Sequence, residues 1–203
     1  MWKNCAMSYS NITETTYKPL RDYIIVASNI LSHDVCRRAI SLFDNMASSH
    51  EHHATDGYNF SQLNVTRHSS INQECKIMHD ELVHASLNAL KFYKQRVSES
   101  SFWPDRTALE EFRIKRYLPN SNHRFDDHVD AADLSTSKRY LAFFWYLNDV
   151  TEGGETCFPS LDISVKPQAG RALIFPPMWM FPHRANTPIS GPKYMVGSYL
   201  HFT

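Results

Sequence analysis

From Arg139 to Asn148 the chain reads Arg-Tyr-Leu-Ala-Phe-Phe-Trp-Tyr-Leu-Asn, and a few residues later it breaks at Gly153-Gly154. In an extended strand successive side chains point to opposite faces. Tyr140, Ala142, Phe144 and Tyr146 therefore share one face, and Leu141, Phe143, Trp145 and Leu147 the other. Both faces are apolar enough to be buried, so alternation leaves open which one looks inward. Working outward from this strand, the pattern from Phe112 onward predicts further strands near 111–118, 171–176, 181–185 and 193–202, with Gly153-Gly154 and Gly170 as punctuation. Short strands between turns are the signature of an all-β barrel or jelly roll.

The N-terminal half reads differently. Tyr23 to Ala27 is a short β-prone run. It leads to Ser32 and Asp34, both good N-cap types, before a helix near Val35 to Met46 in which Val35, Ala39, Leu42, Phe43 and Met46 recur at helical spacing. A longer helix spans about Ile71 to Val97, with Ile77, Leu82, Ala85, Leu87, Leu90 and Phe92 as its apolar stripe. Between the helices, Ser48 to Asn64 is polar and holds His50, Glu51, His52 and His53. A structural zinc site requires four ligands at suitable spacing, usually with cysteine. None lies nearby, so this segment is read as a surface loop, with a lid over the site as the open alternative. Ser98 to Arg106, with Phe102, Trp103 and Pro104, reads as a loop bordering a substrate cleft. The expected class is α+β: N-terminal helices packed on the major sheet of a β core.

With 203 residues the chain suits one domain, divided into a support region over 1–109 and a β core over 110–203. Hydrophobic content of 42%, charged content of 21% and an aromatic share of 13% fit a globular, β-rich protein. The 21 basic residues balance the 21 acidic ones, so no global field draws the chain to phosphate backbones or anionic lipid, and nucleic acid is not an expected partner. Arg113, Lys115 and Arg116 form a local basic cluster, read as the solvated face of an edge strand. Cys5, Cys36, Cys75 and Cys157 are widely spread with no C-x-x-C pair, and Met1 to Ser10 lacks the pattern of a signal peptide. No stretch approaches the roughly 20 apolar residues of a membrane span. Reduced thiols and a cytoplasmic location are expected.

The chemistry lies in the histidines. His-x-Asp/Glu alone carries little information, because 11 His and 21 acidic residues give about one such triplet by chance. His79-Asp80-Glu81 falls inside the long helical pattern, where i and i+2 side chains diverge. His128-Val129-Asp130 instead follows the loop Pro119-Asn120-Ser121-Asn122-His123 in an extended stretch, where i and i+2 point the same way and both ligands reach one ion. A third ligand must come from elsewhere. His183, after Trp179-Met180-Phe181-Pro182, is the best placed, with a hydrogen-bonded core histidine as the alternative. Two imidazoles and one carboxylate on one face of a metal suit a non-haem iron oxygenase.

The residues around these fall in a specific order: Tyr117 before His128, the Arg139–Asn148 strand, Gly153-Gly154-Glu155-Thr156, Phe158-Pro159, Pro167-Gln168-Ala169-Gly170 and Gly191-Pro192-Lys193-Tyr194. Over about residues 110–203 the chain resembles the prolyl 4-hydroxylase branch of the Fe(II)/2-oxoglutarate dioxygenases. That resemblance implies a double-stranded β-helix (jelly-roll, cupin-like) core, with His128, Asp130 and His183 as Fe(II) ligands. It also implies Lys193 as the cation for the far carboxylate of 2-oxoglutarate, and Tyr117, Tyr146 and Thr156 as further cosubstrate contacts. The implied reaction is hydroxylation of a C–H bond with O₂, releasing succinate and CO₂, with ascorbate as reductant. Retention of Asp130 favours hydroxylation over halogenation. The implied substrate is a prolyl residue in a peptide or protein, held at a rim formed by Trp103, Arg139, Tyr140, Trp179 and Arg184. Free amino acids, small metabolites and a non-catalytic β-barrel binding module are the alternatives. The glycine-rich segment usual before the His-x-Asp is replaced here by Pro119-Asn120-Ser121-Asn122.

Overall fold

The computed structural model describes residues 18–203; Cys5 and the Met1–Ser10 stretch lie outside them. In chain order the elements are β1 (Ile25–Ala27), α1 (His33–Asn45), β2 (Glu51–Ala54), β3 (Asn59–Asn64), α2 (Val65–His68), α3 (Gln73–Lys94), β4 (Thr107–Leu109), β5 (Arg113–Tyr117), β6 (Phe125–His128), β7 (Arg139–Tyr146), β8 (Thr156–Phe158), β9 (Ile163–Val165), β10 (Ala172–Phe175), β11 (His183–Ala185) and β12 (Lys193–Phe202). The major sheet runs β1-β10-β7-β12-β5-β3-β2, with β4 also paired to β12, and faces a minor sheet of order β6-β11-β8-β9. All pairings are antiparallel. This is a two-sheet jelly roll with helices behind the larger sheet.

The central strand β7 separates two apolar layers. Ala142, Phe144 and Tyr146 point into the space between the sheets, beside Phe158, Phe175 and Phe181. Leu141, Phe143, Trp145 and Leu147 point the other way, against α1 and α3. Tyr140 breaks the alternation and joins the helix side. Leu200 pairs with Leu141 and His201 with Arg139, so Tyr140 is an extra residue on β7, a bulge that turns its side chain to the opposite face.

Both long helices form where capping and periodicity agree. Ser32 Oγ accepts the Val35 N–H at the start of α1, and Asn72 Oδ1 accepts the Cys75 N–H at the start of α3. The buried face of α3 is Cys75, Met78, Leu82, Ala85, Ala89 and Tyr93. Ile77 and Leu87, expected in the stripe, are exposed. The buried residues recur at three- and four-residue steps from Cys75, and Ile77 and Leu87 fall off that stripe. No helix among the described residues is long and apolar enough to cross a membrane.

Three loop and edge expectations are corrected. Residues 48–64 are not a surface loop: β2 and β3 form a hairpin that extends the major sheet. The polar side chains concealed these strands, yet Gln62 donates to Glu51 and Asn64 to Glu111, so they are buried with partners. The hairpin tip ties the two sheets together, Tyr58 bridging to Phe125. Ser98–Phe102 is a 3₁₀ turn, after which Trp103 stacks on Tyr93. Finally, β5 is interior, flanked by β12 and β3, so the Arg113, Lys115, Arg116 cluster does not lie on an edge. Arg113 pairs with Glu111, Arg116 lies over the Phe43 ring near Asp44, and Lys115 faces a cavity.

Candidate metal centre and cosubstrate pocket

His183 on β11 is the direct register partner of His128 on β6. This pairing sets the two imidazoles side by side, ring centroids 4.3 Å apart, and the register slips by one residue between His183 and Ala185. Asp130 lies just beyond β6, where its own N–H and that of Ala131 both donate to the Pro177 carbonyl. The Asp130 carboxylate then reaches both rings, Oδ1 at 3.4 Å from His128 Nε2 and Oδ2 at 3.4 Å from His183 Nε2. The three donor atoms fall within 4.8 Å of one another.

The remaining bonds fix which atoms face the ion. His128 Nδ1–H donates to the Asp126 carbonyl at 2.7 Å, and His183 Nδ1–H to the Phe181 carbonyl at 3.1 Å. Each ring is thereby held with Nε2 free and pointing inward, the usual arrangement of metal-bound histidine. Phe125 stacks on His128 at 3.5 Å, and Phe144, Phe158 and Phe175 surround His183. His183 Nε2 and Asp130 Oδ2 are buried without a hydrogen bond among the described residues. Such orphans are costly unless an ion answers them. Burial pushes the Asp130 carboxyl up, but the His183 and His128 imidazoles outweigh it and hold the group well below the usual carboxylate range. Two imidazole nitrogens and a carboxylate with one side open fit Fe(II).

Arg139 braces this loop. Its guanidinium bonds both Glu110 oxygens at 2.8 Å and the Asp130 carbonyl at 2.8 Å, and lies 4.1 Å from the Tyr199 ring centroid. Glu110 and Tyr199 escaped the sequence reading. A surface-type acid and a strand tyrosine carry no signal until the fold brings them together.

Lys193 lies deeper between the sheets. It is opposite Tyr117 in register, 0% exposed, and its Nζ is 5.4 Å from the ring centroids of both Tyr117 and Tyr146. Its Nζ has no hydrogen-bond partner among the described residues. Burial lowers its pKa to about 7, with Glu155 pulling the other way. Tyr146 donates to Thr156 Oγ1 at 2.8 Å. Burial raises both Tyr117 and Tyr146, so both stay neutral donors. A sealed, unanswered cation beside two phenols and a hydroxyl suits one end of a dicarboxylate.

The residues expected to form a substrate rim do not form a single surface. Arg139 lines a cavity of about 590 Å³ together with His128 and Asp130. Trp103 and Tyr140 line a separate apolar cavity of about 430 Å³ with Met178 and Met180. Trp179 is 77% exposed, and Arg184 is exposed near Asp127 at 3.8 Å. The Tyr140 bulge accounts for its departure from the iron side. Among the described residues the helical pair His79 and Asp80 has only each other and Lys76 as ionic partners.

Residues 112–201 match the 2OG-Fe(II) oxygenase superfamily. The chain is 31% identical over 110 residues to the Arabidopsis thaliana protein named "Probable prolyl 4-hydroxylase 9", a stretch covering 44% of this chain and 37% of that one. It spans 22–37% of the length of the curated relatives it matches. In fold it is similar to the viral collagen prolyl hydroxylase of Paramecium Bursaria Chlorella virus-1 in its 2OG complex (TM-score 0.66, 20% identity, 89% of this chain and 97% of that one). It is also similar to the Trichoplax adhaerens prolyl hydroxylase solved with a hypoxia inducible factor peptide fragment (TM-score 0.69, 12% identity, 89% and 84% covered). Residues 112–201 are thus similar in sequence to the 2OG-Fe(II) oxygenase superfamily, and the chain shares its fold with these prolyl hydroxylases.

Proposed function

We propose that this protein is an Fe(II)- and 2-oxoglutarate-dependent dioxygenase that hydroxylates a prolyl residue in a peptide or protein. The observation that carries the reading is the pairing of two unsatisfied sets between the same two sheets: the His128, Asp130, His183 cluster and the sealed Lys193 ammonium. Fe(II) with 2-oxoglutarate and O₂ supplies the oxidant for a C–H bond and leaves succinate and CO₂. The chain's own part is to hold and to exclude. His128, Asp130 and His183 would hold the ion. Lys193, flanked by Tyr117 and the Tyr146–Thr156 pair, would receive the far carboxylate of 2-oxoglutarate. The phenylalanines around His183 keep water away from the reacting centre. Arg139, clamped by Glu110, holds the loop that carries Asp130. Ascorbate as reductant belongs to the same proposal, as does a reducing, cytoplasmic setting, with which the free thiols of Cys36, Cys75 and Cys157 agree.

The test is an anaerobic titration with Fe(II) and 2-oxoglutarate, followed by its visible charge-transfer band, and then succinate release with proline peptides. The band is expected in the wild type and lost in His183→Ala. A folded wild-type protein that gives no band refutes the reading.

A further inference from the structure

The iron cavity holds more positive charge than the proposed chemistry uses. Three cations line it: Arg113, Lys115 and Arg139. Two are answered, Arg113 by Glu111 and Arg139 by both oxygens of Glu110. Lys115 is not. Among the described residues its ammonium has no ion pair, and its one directed contact is the face of the Phe60 ring, 4.8 Å from the centroid.

Its position follows from strand parity. Arg113, Lys115 and Tyr117 alternate onto the same face of β5, about 6.8 Å apart at each step. Tyr117 pairs with Lys193 and Lys115 with Met195. Lys193 is sealed and does not line the cavity, whereas Lys115 does, together with His128 and Asp130. The two lysines therefore serve different spaces. If the proposed ligand set is complete, the two charges of the ion, the carboxylate of Asp130, the two of 2-oxoglutarate and the ammonium of Lys193 cancel. Asp133, the other carboxylate on the lining, is exposed and bonded to Ser135 and Thr136, so Lys115 is left without a carboxylate partner among the described residues, in a cavity of about 590 Å³, the size of a small-ligand pocket.

We propose that Lys115 is a specificity-determining residue that receives a carboxylate of the substrate inside the iron cavity. The carboxylate is either the free C-terminus of a short peptide or an acidic side chain next to the target residue. This rests on the dioxygenase reading and narrows its substrate class. A charge-assisted bond to a carboxylate replaces the water the cavity removes from the ammonium. Burial lowers the Lys115 pKa to about 8, so it stays mainly charged at neutral pH and reacts with acylating reagents more readily than surface lysines.

The experiment compares two peptide pairs on the Fe(II) enzyme: Gly-Ala-Pro as acid and as amide, and acetyl-Ala-Glu-Pro-Ala-amide with its Gln counterpart. The pair that contains the natural source should show kcat/KM about tenfold or more in favour of the carboxylate. Lys115→Met should bring that ratio to about one, while the neutral peptide and the 2-oxoglutarate requirement stay unchanged; Lys115→Arg should keep the preference. Independently of turnover, acetic anhydride labelling of Lys115, read by mass spectrometry, should be blocked by the acid and not by the amide. No carboxylate preference in the wild type overturns the proposal. So does a preference that survives Lys115→Met, or labelling blocked by 2-oxoglutarate alone. Failure to bind 2-oxoglutarate refutes the dioxygenase reading instead, and acid-selective protection of Lys115 in that protein still upholds the anion site.

Discussion

Replacing Lys193 by methionine should move stability and cosubstrate affinity in opposite directions. The ammonium is sealed, without a hydrogen bond among the described residues, and burial lowers its pKa to about 7 from the ordinary lysine value of 10.5. At about 1.4 kcal/mol for each pH unit, the ligand-free fold bears a penalty on the order of 5 kcal/mol at pH 7 and below. The sign follows from proton counting. Between about pH 7 and 10.5 the unfolded chain binds more protons than the folded one, so the penalty fades and stability rises with pH. Methionine keeps the length and apolar stem and removes the charge. With partial relaxation Lys193→Met should stabilise the ligand-free protein by roughly 2–5 kcal/mol, or about 5–15 °C in Tm for a chain of this size. The same change removes the partner of a buried carboxylate, which costs roughly 2–5 kcal/mol, so Kd for 2-oxoglutarate should rise about 30-fold or more. Denaturant titration of the ligand-free protein and anaerobic calorimetry with Fe(II) measure the two effects. A variant that is less stable and binds 2-oxoglutarate as before refutes the assignment of Lys193 as an unanswered anchor.

Two further outcomes follow from the same structure. The affinity for 2-oxoglutarate should be level up to about pH 7 and then fall by up to tenfold per pH unit as Lys193 loses its proton, until the raised pKa of the complex is reached; anaerobic binding curves across pH 6–9 measure this, and a flat profile above 7 counts against the anchor. Gly170 has φ +79°, and a Cβ there would lie 2.4 Å from the Leu31 carbonyl oxygen, which belongs to the turn entering α1. Gly170→Ala should therefore cost roughly 2 kcal/mol or more in denaturant unfolding; a change within about 0.5 kcal/mol would mean that this turn yields freely.

Much of the site was legible because its signals are local. The i, i+2 relation of His128 to Asp130, the strand beginning at Arg139 and the Gly-Pro-Lys run ending at Lys193 each sit within a few residues. Lys115 was legible by the same rule and was missed. It is two residues before Tyr117 on one strand and so shares its face, yet the cluster of Arg113, Lys115 and Arg116 was read by charge instead of parity. The β2–β3 hairpin was missed for a related reason: Ser61, Gln62 and Asn64 are polar, and only the fold reveals that Glu51 and Glu111 satisfy two of them.

By itself the sequence pointed to the class of fold and the central strand through alternation, and to the His128–Asp130 pair through ligand spacing, because these are properties of adjacent residues; Lys193 came from the family resemblance. The tertiary structure alone decided which face of β7 looks into the barrel, since both faces are apolar and only the position of α1 and α3 distinguishes them. It decided, through a one-residue bulge, that Tyr140 turns away from the iron side. It also decided which cations are already paired, because Glu110 and Glu111 neutralise Arg139 and Arg113 across contacts that strand pairing creates, leaving Lys115 as the charge that calls for a ligand.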